Sequence, residues 1–331
     1  MKAAPVIIGT LNRYNHFHDC LESLEKCTMA DETDVYVALD FPLSEKYVEG
    51  WKKIDAYLKE KESNNHFHKL IVYRRNQNCG VGGPTSNFAL LHAEMRKNFE
   101  YYIISEDDNV FSPNFLKYMN VCLEKYKDDD KVFAVCGYSQ PYPFKTDGCN
   151  CFFHRTDLSC WGYGLWSSKI QKDMDEIRNG YFENNFSLRN VLKVKRHGLN
   201  RLYQYLSYVF RDKSRYFWII DCAMTCYVIL SNKCVVVPAV SKVRNMGWDE
   251  SGNSFKNPKV LKAFGNIPEI HKKQVIDNET HFEFIGDPTL HMEENDSIAA
   301  KYSEGRMSGC QFIIAVVKFV IKKIIKKLCK M

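Results

Sequence analysis

The chain has 331 residues, of which 45% are hydrophobic and 26% are charged, as in ordinary soluble globular proteins. This length allows one large or two smaller domains with a substantial core. No run of 18 apolar residues and no N-terminal signal is present, so we expect a cytoplasmic protein without a membrane-spanning helix. The 13 cysteines are scattered and include no Cys-x-x-Cys pair, which favours reduced thiols over disulfides or a zinc site.

The positive charge is concentrated in two segments. Residues 187–216 contain eight basic residues and one acidic residue, and residues 309–331 contain six lysines and no acidic residue. The rest of the chain is acidic overall, because the whole chain carries a net charge of only +6. This pattern indicates a negatively charged surface or substrate as the partner and argues against a nucleic acid.

The first hundred residues alternate short apolar strands with amphipathic helices. Strands are predicted at 6–10, 34–40 and 70–75, and helices are predicted after Asn15, at 45–62 and at 85–99. Such alternation is typical of a doubly wound, mostly parallel α/β sheet flanked by helices. Ligands of these sheets gather at the carboxyl ends of the strands.

The strand predicted at 101–104 leads into three adjacent carboxylates, Glu106, Asp107 and Asp108. Their mutual repulsion is relieved best by a bound cation. Mg²⁺ and Mn²⁺ bind through one or two carboxylates together with substrate phosphates. A solvated acidic turn is the alternative interpretation of this segment.

Beyond Asp108 the alternation weakens. Strands are predicted at 132–136 and 234–238, residues 137–167 are expected to be loop-rich and aromatic, and residues 168–216 are expected to be mainly helical. No internal repeat or low-complexity linker is visible, so we expect two halves within one compact body.

Four elements follow one another in an informative order: the glycine-rich segment 76–87, a helix, the strand at 101–104 and the acidic run. This order resembles nucleotide-sugar transferases of the GT-A fold, and in particular the N-x-G…N…D-x-D pattern of glycosyltransferase family 2. The form Glu-Asp-Asp is also similar to N-acetylglucosaminyltransferase I. Two further segments resemble parts of bacterial polysaccharide glycosyltransferases, the aromatic run CWGYGLW at 160–166 and the loop VSKVRNMGWDESG at 240–252.

The resemblance covers about residues 4–255 and implies a metal-dependent, inverting glycosyltransferase. Such an enzyme moves a hexosyl or N-acetylhexosaminyl group from a nucleoside diphosphate sugar, with a UDP-sugar favoured, to a saccharide or lipid-linked acceptor of cell-surface polysaccharide assembly. It makes Asp108 the ligand of Mn²⁺ or Mg²⁺, while Glu106 and Asp107 orient the ribose, the sugar or a water molecule. The other residues expected in the donor site are Thr10, Asn12, Arg13, Asp40, Arg75, Asn76, Gly80 and Asn87.

Transfer to a hydroxyl group needs a general base, and Asp221 is the candidate. It follows the aromatic run 216–220, where partial desolvation would raise its pKa, and it lies where the similar enzymes carry an acid on the acceptor side. A helix N-cap at the start of 222–230 is the alternative role for Asp221. Asp249, which we also place on the acceptor side, and Glu250 are secondary candidates for the base.

Three aromatic residues, Trp161, Tyr163 and Trp166, either form a platform for the faces of sugar rings or belong to the core. His291 is considered as an additional metal ligand, because some GT-A enzymes use a histidine near the C-terminus. The expected division of the chain is a donor-binding half at 1–136, an acceptor-binding and catalytic half at 137–300, and the tail at 309–331.

The tail places its six lysines on one half of a helical projection and most of its apolar residues on the other half. This pattern predicts a helix that lies in the plane of an anionic membrane surface, which would hold the protein on the inner face of the cytoplasmic membrane. Two other functions are kept as alternatives: a catalytically inactive relative that binds sugar or membrane, and a sugar nucleotidyltransferase. The latter should carry a glycine-rich loop after the first strand, but residues 11–15 contain no glycine.

Overall fold

The computed structural model describes residues 3–80, 85–210, 220–249, 251, 271–272, 274–304, 309–310, 312–314 and 317. The strands in these ranges are β1 (Val6–Thr10), β2 (Asp34–Leu39), β3 (Lys69–Arg74), β4 (Tyr101–Glu106), β5 (Asn109–Phe111), β6 (Val132–Cys136), β7 (Cys151–His154), β8 (Tyr163–Trp166), β9 (Cys234–Pro238) and β10 (Val243–Asn245). The helices are α1 (Tyr14–Glu25), α2 (Glu45–Ser63), α3 (Asn87–Asn98), α4 (Phe115–Lys125), α5 (Ser167–Arg178), α6 (Tyr181–Asn184), α7 (Leu188–Lys195), α8 (Leu199–Phe210), α9 (Ile220–Ser231) and α10 (Met292–Glu304).

Eight strands form one sheet in the order β3-β2-β1-β4-β8-β6-β9-β7. β1, β2, β3 and β4 are parallel to one another, and β6 and β9 run in the same direction, whereas β7 and β8 are antiparallel to their neighbours. β5 and β10 pair with each other in a separate antiparallel ribbon. The predicted fold class, a doubly wound and mostly parallel α/β sheet flanked by helices, is confirmed. The predicted C-terminal amphipathic helix lies almost entirely outside the described residues.

Helices cover both faces of the sheet, which explains why its central strands are apolar on both sides. One hydrophobic cluster joins the sheet to α1, α2 and α4 through residues such as Leu21, Leu58 and Leu123. The opposite cluster joins it to α3, α5, α8 and α9 through residues such as Leu91 and Tyr205. The two layers leave the carboxyl edge of the parallel strands for polar side chains.

The expectation of a loop-rich segment at 137–167 was wrong in part, because this segment contributes β7 and β8 to the sheet. Each of these strands has only four residues, too few for a periodic pattern to stand out. β8 inserts between β4 and β6. Strands from both expected halves, 1–136 and 137–300, therefore belong to one sheet. The helical prediction for 168–216 agrees with α5 to α8 as far as residue 210.

The described helices include none that is long and apolar enough to cross a membrane.

Candidate active site

The polar residues predicted for a donor site meet at the carboxyl edge of the sheet. The backbone N–H of Asp40 donates to the carbonyl of Thr10 at 2.9 Å, and the N–H of Arg75 donates to the carbonyl of Leu39 at 2.9 Å. The segments that follow β1, β2 and β3 therefore remain in register just beyond the strands. β4 pairs directly with β1, so its terminal acidic run lies at the same edge.

Arg13 binds the acidic run with both ends of its guanidinium group. Its Nη1 lies 2.8 Å from Oδ2 of Asp108, and its Nη2 donates to Oδ1 of Asp107. Thr10 donates from Oγ1 to the other oxygen of Asp107 at 3.0 Å. Burial by itself would lower the pKa of Arg13, but the two carboxylates outweigh it and raise that pKa above its usual range. Both carboxylates are buried, so the forked pairing provides the compensation that buried charges require.

Asp108 is also held by the end of β10 and the residues after it, to which sequence reasoning assigned no role in the site. Asn245 donates from Nδ2 to Oδ1 of Asp108 at 2.7 Å and to Oδ1 of Asn109 at 3.1 Å. The N–H of Gly247 donates to Oδ1 of Asn245 at 3.0 Å, and the N–H of Met246 donates to the carbonyl of Asp108 at 2.7 Å. A Cβ atom at Gly247 would lie 2.2 Å from Oδ2 of Asp108. The signal was present in the loop at 240–252, which resembles part of bacterial polysaccharide glycosyltransferases, but its sequence assigns this role to no particular residue.

Glu106 has a different environment from its two neighbours. Desolvation, reinforced by the charges of Asp108 and Asp107, raises the pKa of Glu106 to about 8, although Arg13 opposes the shift. The charge of Asp221 contributes to the same rise. The structure therefore brings Asp221 within electrostatic range of the acidic run, although it lies 115 positions after Glu106 in the sequence.

Asp221 lies in the first turn of α9. Its Oδ1 accepts the backbone N–H of Cys222 at 2.8 Å. The carboxylate therefore bonds to the N–H of the next residue in the first turn of α9. Desolvation raises the pKa of Asp221, and this effect exceeds the opposing hydrogen bond from Cys222 and the charge of Arg201. A carboxylate with a raised pKa is the better proton acceptor. The aromatic run before it, at 216–219, lies outside the described residues.

Asp249 is less suited to accept a proton. Its Oδ2 lies 3.1 Å from Nε2 of His16, and its other oxygen accepts the hydroxyl of Ser251 at 2.6 Å. Burial opposes its ionisation, but the hydrogen bonds from Ser251 and the charge of His16 prevail and lower the pKa of Asp249. Glu250, the other secondary candidate, lies outside the described residues.

Asp40 organises the loop that precedes α3. Its Oδ1 accepts the backbone N–H groups of Phe41 and Cys79, each at 2.9 Å, and its Oδ2 accepts from Nδ2 of Asn78 at 3.4 Å. The N–H of Gly80, which has a φ of +72°, donates to Oδ1 of Asn78 at 3.0 Å. Residues 81–84 of the glycine-rich segment lie outside the described ranges.

Arg75 is linked to the sheet through Asn87. Its Nε donates to Oδ1 of Asn87 at 2.9 Å, and Nδ2 of Asn87 donates to the carbonyl of Ala38 at 2.7 Å. Asn76, the next residue, is exposed. Asn12 lies in the loop after β1, where its carbonyl faces Gly50 of α2. All eight residues predicted to complete the donor site therefore lie at the end of β1, in the segments that follow β1, β2 and β3, or at the start of α3.

The three aromatic residues of the predicted acceptor platform are separated by the structure. Trp166 is only 2% exposed, and its indole N–H donates to the carbonyl of Leu123 at 3.0 Å. Tyr163, at 6% exposure, lies in the cluster on the opposite face of the sheet. These two rings belong to the core, because alternate residues of β8 point into the two buried faces. The platform prediction is therefore wrong for Tyr163 and Trp166.

Trp161 lies in the loop before β8 and is only partly buried. Its ring packs edge-on against Tyr138 at 4.7 Å and against Trp248 at 5.7 Å, and Trp248 stacks on His271 at 4.6 Å. Trp248 directly follows Gly247 in the sequence. Its contact with Trp161 therefore connects that ring with the loop that holds Asp108. His291 is placed elsewhere, since it contacts Asp147 and Glu294.

The carboxylate oxygens of the acidic run are suitable ligands for a hard divalent cation. Carboxylate oxygens are the ligands that Mg²⁺ and Mn²⁺ prefer, and the guanidinium of Arg13 already places a positive charge between Asp107 and Asp108. In the part of the chain that the structure describes, no group of three or more His, Cys, Asp or Glu side chains forms a closed metal cage. A cation here would therefore be held by one or two carboxylates together with substrate phosphates.

Comparisons with known proteins gave only distant likenesses. No protein-family model and no curated protein matches the chain. A crystal structure of S. aureus TarS matches with a TM-score of 0.35 at 14% identity, over 52% of this chain and 29% of that chain. S. aureus TarS 1-349 matches with a TM-score of 0.42 at 14% identity, over 83% of this chain and 67% of that chain. The same protein in complex with UDP-GlcNAc matches with a TM-score of 0.35 at 18% identity, over 52% and 47% of the two chains.

This chain therefore spans less than half of two of these three structures. At such scores and identities the likeness carries no argument about activity, and the functional conclusion depends on the sheet and on the geometry at its edge.

Proposed function

We propose that this chain is a glycosyltransferase that moves a sugar from a nucleoside diphosphate sugar, with a UDP-sugar favoured, to a saccharide acceptor. The observation that carries the proposal is the convergence of Arg13, Asp40 and the acidic run 106–108 at the carboxyl edge of a doubly wound sheet. Ligands bind at this edge in sheets of this kind. The edge combines a guanidinium suited to phosphate with carboxylates suited to ribose hydroxyls and a cation.

In this proposal Asp40, together with Asn12 and Asn76, contacts the base and ribose, while Arg13 and Arg75 bind the diphosphate. Arg13 would exchange its two carboxylate partners for phosphate oxygens, which also accept bidentate hydrogen bonds from arginine. Such an exchange would free Asp107 and Asp108 as the diphosphate enters.

Asp108, supported by Asp107, would then hold Mn²⁺ or Mg²⁺. A divalent ion at this position would act as a Lewis acid that stabilises the negative charge of the leaving nucleoside diphosphate. The loop formed by Asn245 and Gly247 would keep the Asp108 carboxylate oriented towards it.

Asp221 would take the proton from the acceptor hydroxyl as that oxygen attacks the anomeric carbon. A base on the side of the sugar opposite to the leaving group gives direct displacement and hence inversion. The same carboxylate in its neutral form would be inactive, so the raised pKa of Asp221 predicts activity that increases with pH until this group is ionised.

The acceptor in this proposal is lipid-linked, and the enzyme works on the inner face of an anionic membrane. The support comes from the sequence alone: the six lysines of 309–331 lie opposite most of its apolar residues in a helical projection.

The test is thermal unfolding in the presence of UDP, other nucleoside diphosphates and nucleotide sugars, with and without Mn²⁺. A ligand that binds only the folded protein should raise the melting temperature by several degrees at saturating concentration. Asp108→Asn should lose the part of the shift that depends on Mn²⁺, and Asp40→Asn should lose the preference among bases. The matched control is Asp175→Asn, which removes an exposed carboxylate of α5 and should behave as the wild type.

If no nucleoside diphosphate stabilises the protein with or without Mn²⁺, the proposal is wrong. Stabilisation without any transfer or hydrolysis of the donor would indicate an inactive relative. Formation of a nucleotide sugar from a nucleoside triphosphate and a sugar phosphate would indicate a nucleotidyltransferase.

A further inference from the structure

Helix α7 exposes leucine side chains to solvent. Leu188 is 74% exposed and Leu192 is 51% exposed, and the two lie one turn apart on the same face of the helix. Phe186, directly before the helix, is 46% exposed. The opposite face of α7 is packed normally, because Val194 is completely buried in the core cluster. The exposed leucines are therefore additional to the face that attaches α7 to the body.

Basic side chains flank these leucines. Arg189, Lys195 and Arg196 are exposed, and at 100° per residue they lie on either side of the stripe formed by Leu188 and Leu192. The sequence from 184 to 210 contains no aspartate or glutamate, so no acidic residue of this segment neutralises them. The exposed apolar stripe and its basic borders together form what we call the α7 face.

Lys193 has a different role, which fixes the orientation of α7. Its ammonium group donates to the carbonyl of Leu230 at 2.9 Å and to Oδ1 of Asn232 at 2.7 Å, at the C-terminal end of α9. This contact holds the helix so that Leu188 and Leu192 remain outside. Asp221 lies nine residues before Leu230 on α9, which corresponds to about 14 Å at the rise of an α-helix.

Within the described part of the basic segment, residues 187–210, the structure shows which side chains meet solvent. The basic segment also contains apolar residues at 202–210, but Leu202, Tyr205 and Tyr208 are 5%, 0% and 6% exposed. These side chains of α8 belong to the core. Among the described residues 187–210, the exposed apolar side chains are those of Leu188 and Leu192 on α7.

We infer that the α7 face is a docking surface for an anionic membrane, distinct from the tail at 309–331. Exposed leucines with arginine and lysine beside them match the arrangement of a helix that lies in the interface, where apolar side chains enter the acyl boundary and cations meet lipid phosphates. The inference deepens the proposed membrane location and rests on it. Docking through α7 places the membrane beside the end of α9 that is remote from Asp221. A lipid-linked acceptor would therefore have to extend roughly one helix length from the surface to reach the candidate base.

The test is co-sedimentation of the full chain with phosphatidylcholine vesicles that contain or lack phosphatidylglycerol, at low and high salt. Leu188→Ser with Leu192→Ser should weaken binding to the anionic vesicles by about tenfold or more, and so should Arg189→Gln with Lys195→Gln and Arg196→Gln. The matched controls are Leu43→Ser with Leu290→Ser, whose leucines are 68% and 60% exposed, and Lys52→Gln with Lys69→Gln and Lys97→Gln, all exposed lysines. Both controls should bind within about twofold of the wild type, since they remove equal numbers of exposed leucines or positive charges elsewhere.

Three outcomes would overturn the inference. The first is unchanged vesicle binding by both α7 variants, with binding lost only when the six tail lysines are replaced by glutamine; the membrane location would then stand without α7. The second is a dimer that becomes monomeric in Leu188→Ser with Leu192→Ser, which would make a second copy of the chain the occupant of the α7 face. The third is a wild-type protein that ignores anionic vesicles, which would also remove the proposed membrane location. Stabilisation by nucleoside diphosphates, measured on the same variants, reports separately on the proposed glycosyltransferase function and on folding.

Discussion

Three adjacent acidic residues have three different environments in this protein. Asp107 is paired with Arg13 and Thr10, Asp108 is shared between Arg13 and Asn245, and Glu106 has a pKa raised to about 8. Because successive residues at a strand end point in different directions, each meets a different element. Burial raises the pKa of both Glu106 and Asp107, but at Asp107 the charge of Arg13 and the hydrogen bonds from Arg13 and Thr10 oppose the rise.

Asp221 and Asp249 can be distinguished as general bases by substitution. Asp221→Asn should lower turnover by roughly two to four orders of magnitude, the usual contribution of general-base catalysis, and leave donor affinity unchanged. Asp249→Asn should have a much smaller effect, because Asp249 has a lowered pKa and is engaged by His16 and Ser251. Steady-state kinetics with separate titration of the donor checks both. A collapse of donor affinity in Asp221→Asn would instead assign this residue to the donor site or to the fold.

Gly247 is predicted to be essential for the orientation of Asp108. An alanine Cβ would lie 2.2 Å from Oδ2 of that carboxylate, so Gly247→Ala must displace either the loop or Asp108. We expect affinity for Mn²⁺ with UDP to fall at least about tenfold, while the free energy of unfolding changes by only about 1–3 kcal/mol. Titration calorimetry and urea unfolding measure the two quantities.

The control for this substitution is Gly148→Ala, in an open turn where no atom would lie within 4 Å of an added Cβ. Its φ of +83° means that alanine strains the backbone there and costs some stability. The variant should nevertheless retain the wild-type affinity for Mn²⁺ and UDP. Equal affinity losses in the two variants would show that Gly247 acts through stability and not through Asp108.

At the scale of elements, β8 shows how an aromatic motif can belong to a strand and not to a binding surface. The segment at 160–166 resembles an aromatic segment of bacterial polysaccharide glycosyltransferases, yet its last four residues form the strand between β4 and β6. Insertion there buries both faces of β8, so Tyr163 and Trp166 contribute to two different layers of the core. Only Trp161, in the loop before the strand, remains next to the candidate site.

Because Trp166 is buried in the core and Trp161 lies next to the candidate site, we predict different effects for their substitution by alanine. Trp166→Ala should lower the free energy of unfolding by about 3–5 kcal/mol, the usual cost of removing a large buried side chain, and it also leaves the carbonyl of Leu123 without the indole donor. Trp161→Ala should cost less stability and reduce acceptor affinity instead. Urea unfolding and acceptor kinetics on both variants check this. Equal stability losses with no change in acceptor kinetics would show that Trp161 is also only structural.

At the scale of the whole molecule, buried neutral histidines should make stability depend on pH. His197 is 8% exposed and bonds to Oγ1 of Thr156 at 2.8 Å. Desolvation, assisted by the positive charges of Arg155 and Lys193, lowers its pKa to about 4, although Asp296 and Glu293 oppose the shift. Since the unfolded chain takes up this proton near pH 6.5 and the folded chain does not, stability is complete above that pH and decreases as pH falls towards 4.

His197→Gln should remove this part of the pH dependence. The difference in free energy of unfolding between the wild type and the variant should be largest at about pH 7.5 and decrease by up to about 3 kcal/mol by about pH 4. Urea unfolding across this pH range measures it. A difference that stays constant with pH would show that His197 titrates normally in the folded protein.

The amino-acid sequence by itself determined the parallel half of this protein. Strands at 6–10, 132–136 and 234–238 have the predicted bounds, because buried strands of a parallel sheet are continuous apolar runs that local pattern reveals. The polar residues at the strand ends, Thr10, Asp40 and Glu106–Asp108, could be placed at one edge for the same reason. Parallel strands with helical crossovers necessarily direct their carboxyl ends to the same side.

Only the tertiary structure decided how the rest of the chain completes that edge. Asn245 reaches Asp108 across 137 positions of sequence, and β8 enters the sheet between strands that precede it in the chain. Neither feature leaves a periodic signal in the sequence. Both depend on the order of the strands and on the paths of the loops, and not on local burial. The exposed leucines of α7 could not be predicted from the sequence either. Its sequence has the amphipathic pattern of a packed helix, and only the position of Lys193 against α9 reveals which apolar side chains are left outside.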